Sequence, residues 1–234
     1  MGGYLSVAYC EKYPHRVERL VLLSPVGVPE FDKEAADKRM AQINWKFKAL
    51  LGTMRSFWKM GSTPMSVLRM MPEGRGKWLV DGYVKNRLKR LMDDEKEALA
   101  SYFYSVGVLP GSGEYCLQDI LLPGAMAKNA LVDRIPKLSP NIPINFLYGA
   151  VDWMDFRGGV TVQEKVESDK SCTLKVDVRI VEDAGHLLNL ENPDAMNESV
   201  ANAINNRDDA RIVLPHTVNK EARTWTKPVT SNRV

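Results

Sequence analysis

Cysteine is scarce in this chain of 234 residues: Cys10, Cys116 and Cys172 are odd in number, widely spaced and without a C-x-x-C pair. That argues against a disulfide framework and a zinc knuckle, and it fits a reducing, intracellular compartment. No apolar run approaches the roughly 20 residues that a membrane-spanning helix needs. The opening residues also lack the basic-then-apolar order of a secretory signal. The expectation is a cytoplasmic protein, soluble or peripherally bound. Charge of one sign is missing too, since 32 Lys and Arg stand against 29 Asp and Glu, a formal net charge of +3. A nucleic-acid reader would concentrate a basic face, so no nucleic-acid partner is expected. What is present, 44% hydrophobic and 26% charged residues, is enough apolar material for a globular core.

Three segments read as strands. Arg16 to Pro25 holds the continuous apolar run Leu20 to Leu23 after a charged lead-in, as a buried parallel strand does. Pro143 to Gly149 is a second such segment. Leu174 to Asp183 is the third, with Val176, Val178 and Ile180 alternating with polar residues. Helical spacing appears at Gly158 to Ser168 and again after Pro193, where Met196, Val200 and Ala203 recur. Strands alternating with helices predict an α/β architecture with a mostly parallel sheet. Between Pro29 and about Leu131 the pattern turns to helices without strands and reads as an inserted cap. There Val80, Val84, Leu88 and Leu91 share one predicted helix face. The expected division is residues 1–28 as core helix and strand, 29–131 as cap, 132–206 as core again and 207–234 as a loosely ordered tail.

Three places carry candidate chemistry. The chain opens Met1, Gly2, Gly3 and runs through a predicted helix into the first strand. Asp152 follows directly on the end of the second strand, and Asp155 competes with it from three residues on. His186 follows the third strand in an Ala-Gly-His turn. Loops at the carboxyl ends of parallel strands are where such sheets place their sites. His15 sits beside Pro14 in a helix-to-strand turn and His216 in the polar tail, which leaves His186 as the candidate general base. An acid after one strand and a histidine after the next is the order of an α/β-hydrolase, whose nucleophile stands on a G-x-S-x-G elbow before them. On that reading Met1, Gly2 and Gly3 are the oxyanion and elbow residues just past the nucleophile, and the serine itself would precede Met1. The bland reading, a flexible start, stays open for these three residues. Gly111, Ser112 and Gly113 look like a nucleophile loop but have no strand before them, and Ser24 ends a strand without an elbow.

Taken together the segments resemble a lipid-acting branch of the α/β-hydrolases. That branch contains the lipid-droplet lipase coactivator, the N-acylphosphatidylethanolamine lipase, their plant relatives and the yeast cardiolipin deacylase. The resemblance is carried by YPHRVERLVLLSPVGVPE, STPMSVLRMMPEGRGKWLVDGYVKNRL, SGEYCLQDILLPGAMAKNALVDRIPKL, YGAVDWMD and AGHLLNLENPD. It implies cleavage or transfer of fatty acyl groups on glycerophospholipids, with no metal and no organic cofactor. It also implies Asp152 as the acid of a D-W-M pattern, Asp155 as the alternative acid and His186 as the histidine. Several members continue from that histidine as H-x-x-x-x-D, a motif associated with lysophosphatidic acid acyl transfer, where this chain has Glu191.

Two surface readings accompany the resemblance. Six of eleven Met residues fall between Met40 and Met71 beside Trp45, Phe47, Phe57 and Trp58, which suits either an acyl-chain pocket or cap packing. From Arg69 to Arg90 seven basic residues face two acidic ones, so Lys85, Arg87, Lys89 and Arg90 are candidates for meeting an anionic phospholipid surface. That surface would be a lipid droplet, the endoplasmic reticulum or a mitochondrial membrane. Three functions are carried forward. One is a phospholipase or acyltransferase, inactive as this sequence stands for want of its nucleophile. Another is a non-catalytic partner of lipases on lipid surfaces, and the last is an α/β-hydrolase with another small substrate.

Overall fold

The computed structural model describes residues 1–88 and 91–205. The expected tail at 207–234, His216 within it, Lys89 and Arg90 lie outside the described residues. Helix α1 (Gly2–Lys12) passes through a short 3-10 turn, Pro14–Arg16, into strand β1 (Leu20–Leu23). Five helices follow: α2 (Lys33–Gln42), α3 (Trp45–Lys59), α4 (Pro64–Met70), α5 (Glu73–Arg87) and α6 (Asp93–Gly107). After them come a short α7 (Leu117–Ile120) and the two-residue strands β2 (Leu121–Leu122) and β3 (Met126–Ala127), paired antiparallel. The expectation of a strand-free segment between 29 and 131 is therefore corrected by this hairpin. Its strands are too short for a period-two pattern to register.

The chain then returns to the sheet through β4 (Ile144–Gly149), α8 (Arg157–Ser168), β5 (Val176–Val181), α9 (Leu188–Glu191) and α10 (Pro193–Ile204). Strand order is β1-β4-β5, parallel throughout, with β4 in the centre. Every residue of β4 is buried, as a strand covered by helices on both faces must be. Phe146 and Tyr148 point into the larger core with Val7 and Cys10 of α1 and Val162 and Val166 of α8. Leu147, one residue out of phase, joins Val181, Ala184 and Leu188 against α10.

The helices between β1 and the hairpin are held by two devices. In one, α5 and α6 close an apolar seam of Val84, Leu88 and Ala100, with Val80, Leu91 and Phe103 against it. The helix itself ends at Arg87, so Leu91 reaches the seam from beyond it rather than along one helical face. The other device is polar. Thr63 caps α4 by accepting from the Ser66 amide at 3.0 Å and donates to Glu114 at 2.6 Å. Glu114 also pairs with Arg69, which donates to the Leu109 carbonyl at 3.1 Å at the far end of α6. The hydrogen bond from Arg69 holds the Glu114 carboxyl below the usual carboxylate range, with a smaller contribution in the same direction from Thr63.

A carboxyl depressed in the folded state adds stability above its unfolded value and loses it as pH falls through the folded one. Acidification below the usual carboxylate range is therefore expected to lower the protection of the α4 amides relative to their intrinsic exchange at each pH, with a much smaller change in Glu114→Gln. Hydrogen exchange at neutral and acid pH reads this, and an equal acid response in both proteins would assign the loss to other carboxylates.

Candidate active site

Two parallel strands place the acid and the histidine. Gly149 pairs with Val181 in the β4–β5 register, so the loops after both strands leave from one sheet edge. The backbones then stay tied: the Ala150 amide donates to Val181 and the Val151 amide to Ala184, each at 3.0 Å. At Gly149 the approach is closer than any side chain allows, since a Cβ there would stand 2.2 Å from the Gly185 carbonyl oxygen and 2.4 Å from that of Ala184. The acid loop and the histidine loop thus touch backbone to backbone.

On this footing Asp152 Oδ1 lies 3.1 Å from His186 Nδ1 and accepts the Met154 amide at 2.9 Å. The Asp152 side chain is fully buried, while His186 keeps 34% exposure. A carboxylate can only accept, so the proton of this bond sits on Nδ1 and the lone pair of Nε2 is left for another partner. Trp153 leans over the imidazole with ring centres 5.0 Å apart. Tyr148, on the strand behind, is buried and its phenol is pushed far up by that burial and by the negative charges of Asp152 and Asp155. It stays a neutral neighbour.

Asp155 is placed differently. It accepts from the Arg157 amide at 3.0 Å and grips the Arg157 guanidinium at 2.6 Å, at the entrance to α8. Of the two candidate acids, the structure brings Asp152 to the histidine and gives Asp155 to a helix start. His15 lies in the Pro14–Arg16 turn ahead of β1, whereas the Asp152 and His186 loops follow the ends of their strands. Ser112 is exposed before a 3-10 helix, Gly113–Cys116, in the cap.

Facing the imidazole is a cleft of about 370 Å³ bounded by Met1, Gly2, Gly3, Ser24, His186 and Leu188. The N-terminal end of α1 opens into it, and the first amides of a helix have no partner within the helix. Gly3 sits where a Cβ would stand 2.9 Å from that of Pro25, which fixes α1 against the end of β1. Ser24 forms that end. It is buried, adopts φ 43° in the left-handed region, and donates its amide to Leu147 at 2.8 Å. The chain bends there and runs through Pro25 into a turn at Val26 and Gly27, so no helix follows as it would at an elbow. Chemically, the arrangement joins an oriented imidazole with a free Nε2 to a helix N-terminus suited to a developing oxyanion. Among the described residues no group of three His, Cys, Asp or Glu is set to hold a metal.

Sequence reading missed the backbone strain at Ser24, the Trp153 cover and the Leu188 wall. Their only signals were local: Ser before Pro at a strand end, Trp within Asp-Trp-Met and an apolar pair after the histidine.

Compared with curated proteins, the chain is 29% identical over 212 residues to the 1-acylglycerol-3-phosphate O-acyltransferase of Arabidopsis thaliana, covering 85% of this chain and 46% of that protein. A protein of the same activity name from Sus scrofa is 31% identical over 167 residues, covering 70% and 45%. Among solved structures a bromoperoxidase from Bacillus anthracis matches with a TM-score of 0.53 at 18% identity, over 88% of this chain and 64% of that one. The fold is that of the α/β-hydrolases. The chain spans about half the length of the curated relatives it matches. No family model matches it. No helix among the described residues is long and apolar enough to cross a membrane.

The contact at Gly149 gives this geometry a direct test. Gly149→Ala forces two carbonyls to move, and overpacking of this kind costs about 1–3 kcal/mol. Urea denaturation should show a loss in that range, and a crystal structure should show His186 withdrawn from Asp152. A variant as stable as the parent would mean that the two loops are not in contact.

Proposed function

We propose that Asp152 and His186 are the acid and base of a serine-type centre that hydrolyses or transfers fatty acyl groups on glycerophospholipids. The observation that carries this reading is the buried Asp152 carboxylate held at 3.1 Å on His186 Nδ1, with the ring facing a cleft at the start of α1. In the proposed reaction a nucleophile presented at the N-terminal end of α1 attacks the ester carbonyl, and His186 Nε2 takes its proton. The α1 amides at Met1 and Gly2 stabilise the oxyanion, and His186 returns the proton to the departing alcohol. Water or a second alcohol then accepts the acyl group, which separates hydrolysis from transfer. The activity in the relatives' names supports lipid acyl chemistry, and Glu191 in place of the motif aspartate keeps the charge. Neither Ser24, buried just past β1, nor Ser112, exposed between α6 and α7, suits the nucleophile's place. These 234 residues by themselves are therefore read as inactive.

Fluorophosphonate labelling tests both halves. The 234-residue chain should take no label, and a form carrying a Gly-His-Ser elbow ahead of α1 should be labelled and should cleave or transfer acyl groups. In that form Asp152→Asn should lower kcat by about 10⁴-fold, the cost of the wrong tautomer in such triads, while Asp155→Asn changes it little. Labelling of the short chain, or equal losses in the two variants, would overturn the assignment.

A second reading, a lipid-surface protein without catalysis, is favoured by α3. Its sequence WKFKALLGTMRSFWK has four cations and no carboxylate. Trp45 and Met60 are more than two-thirds exposed, and Met54, Phe57, Met65 and Met70 are exposed as well, so these residues do not line a closed acyl pocket. A basic helix with exposed aromatic and thioether side chains suits an anionic bilayer interface. The face expected from the sequence is less free, because Lys77 and Lys85 are paired within α5 with Glu73 and Asp81. Co-sedimentation with phosphatidic acid vesicles should weaken as salt rises and fall by about thirtyfold on replacing Lys46 and Lys48 with Gln, at roughly 1 kcal/mol per surface cation. The same change at Lys85 and Arg87 should do less. The reverse ranking would return the contact to α5.

A further inference from the structure

The carboxylate of Glu191, five residues past His186, is left without work by the reading above. Glu191 Oε1 accepts the Leu187 amide at 3.2 Å. Leu187 is the cap residue of the one-turn helix α9, so the side chain at the end of α9 folds back to satisfy an amide at its start. The same carboxylate covers Gly185, where a Cβ would stand 2.8 Å from Oε1 and 2.9 Å from Oε2. Gly185 and Leu187 are the two neighbours of His186. One side chain therefore meets the backbone on both sides of the imidazole. Its neighbour Asn192 completes the enclosure, donating to the Glu182 carbonyl at 2.8 Å and accepting the Ala195 amide at 3.2 Å.

We propose that Glu191 is a positioning residue that clasps the His186 loop through its backbone, so that the imidazole is held on Asp152. The motif carboxylate then acts as a hydrogen-bond acceptor for the protein's own chain rather than as a group that touches lysophospholipid or acyl donor. The purpose of the clasp rests on reading His186 as the general base, but its existence does not. It predicts that an amide oxygen can replace the carboxylate, because acceptance from Leu187 needs an oxygen and not a charge. A role in proton transfer or in binding a cationic group would need the charge.

The test reads the ring and the amide, not turnover, so an inactive protein does not obscure it. Imidazole nitrogen spectra of the protein, in which only three histidines must be told apart, report the His186 tautomer. Hydrogen exchange reports the Leu187 amide. Wild type and Glu191→Gln are expected to show one Nδ1–H tautomer and a protected Leu187 amide. Glu191→Ala should speed exchange at Leu187 by about tenfold or more, the loss expected for a bond to a charged acceptor, and should mix the tautomers. An unchanged ring and amide in Glu191→Ala would overturn the clasp. Loss of both in a folded Glu191→Gln would overturn it too, by showing that charge matters. The Gln variant decides alone if the Ala variant does not fold.

Discussion

Everything at the candidate site hangs on the pairing of β4 with β5. The six-residue parallel register from Ile144 on Val176 to Gly149 on Val181 brings the two chemical loops out side by side. A slip of one residue would exchange Phe146 and Tyr148 for Leu147 at the larger core, and the rings and the leucine differ too much in volume to trade places, so packing enforces the register. The same register puts Gly149 where the Ala184 and Gly185 carbonyls arrive. Core packing thereby sets the distance between Asp152 and His186, although neither residue belongs to the core clusters. The geometry of the pair is a consequence of the side chains packed along the same strands.

What the sequence shows and what it hides follow from the range of the forces involved. β1, β4 and β5 are legible because buried parallel strands need continuous apolar runs, and LVLL and INFLYG supply them. His186 is legible by exclusion, since the alternatives sit in a turn ahead of β1 and in the polar tail. The choice between Asp152 and Asp155 is not settled by spacing: both follow β4, and resemblance alone separated them. The physical difference is that Asp155 stands two residues before Arg157, close enough to serve the entrance of α8, while Asp152 precedes Trp153 and is drawn under the imidazole. Such a difference depends on the fold of the loop and leaves no periodic trace.

The Met- and Trp-rich segment illustrates the same limit from the other side. Composition admits both a packed cap and an open surface, because thioethers and indoles serve in either. Packing decides, and in α3 only Leu51 and Trp58, among the residues whose burial is defined, are partly covered. Glu191 is a similar case. Its identity is visible in the motif, but its return to the Leu187 amide depends on α9 being one turn long, which no propensity fixes.

The α5–α6 helices and the histidine loop also meet directly, at the residue next to the histidine. Leu187 packs against the α5–α6 seam of Val84, Leu88 and Ala100 while its amide is held by Glu191. Its side chain therefore belongs to the cap and its backbone to the histidine loop. A shift in the α5–α6 seam moves apolar atoms that the half-buried Leu187 contacts, and a packed side chain passes such a shift on to its backbone. Glu191 opposes that motion at the Leu187 amide, and the Gly149 contact opposes it from β4. The α5–α6 pair thus meets the histidine loop at Leu187, with the Glu191 carboxylate and the end of β4 on the other side of the joint.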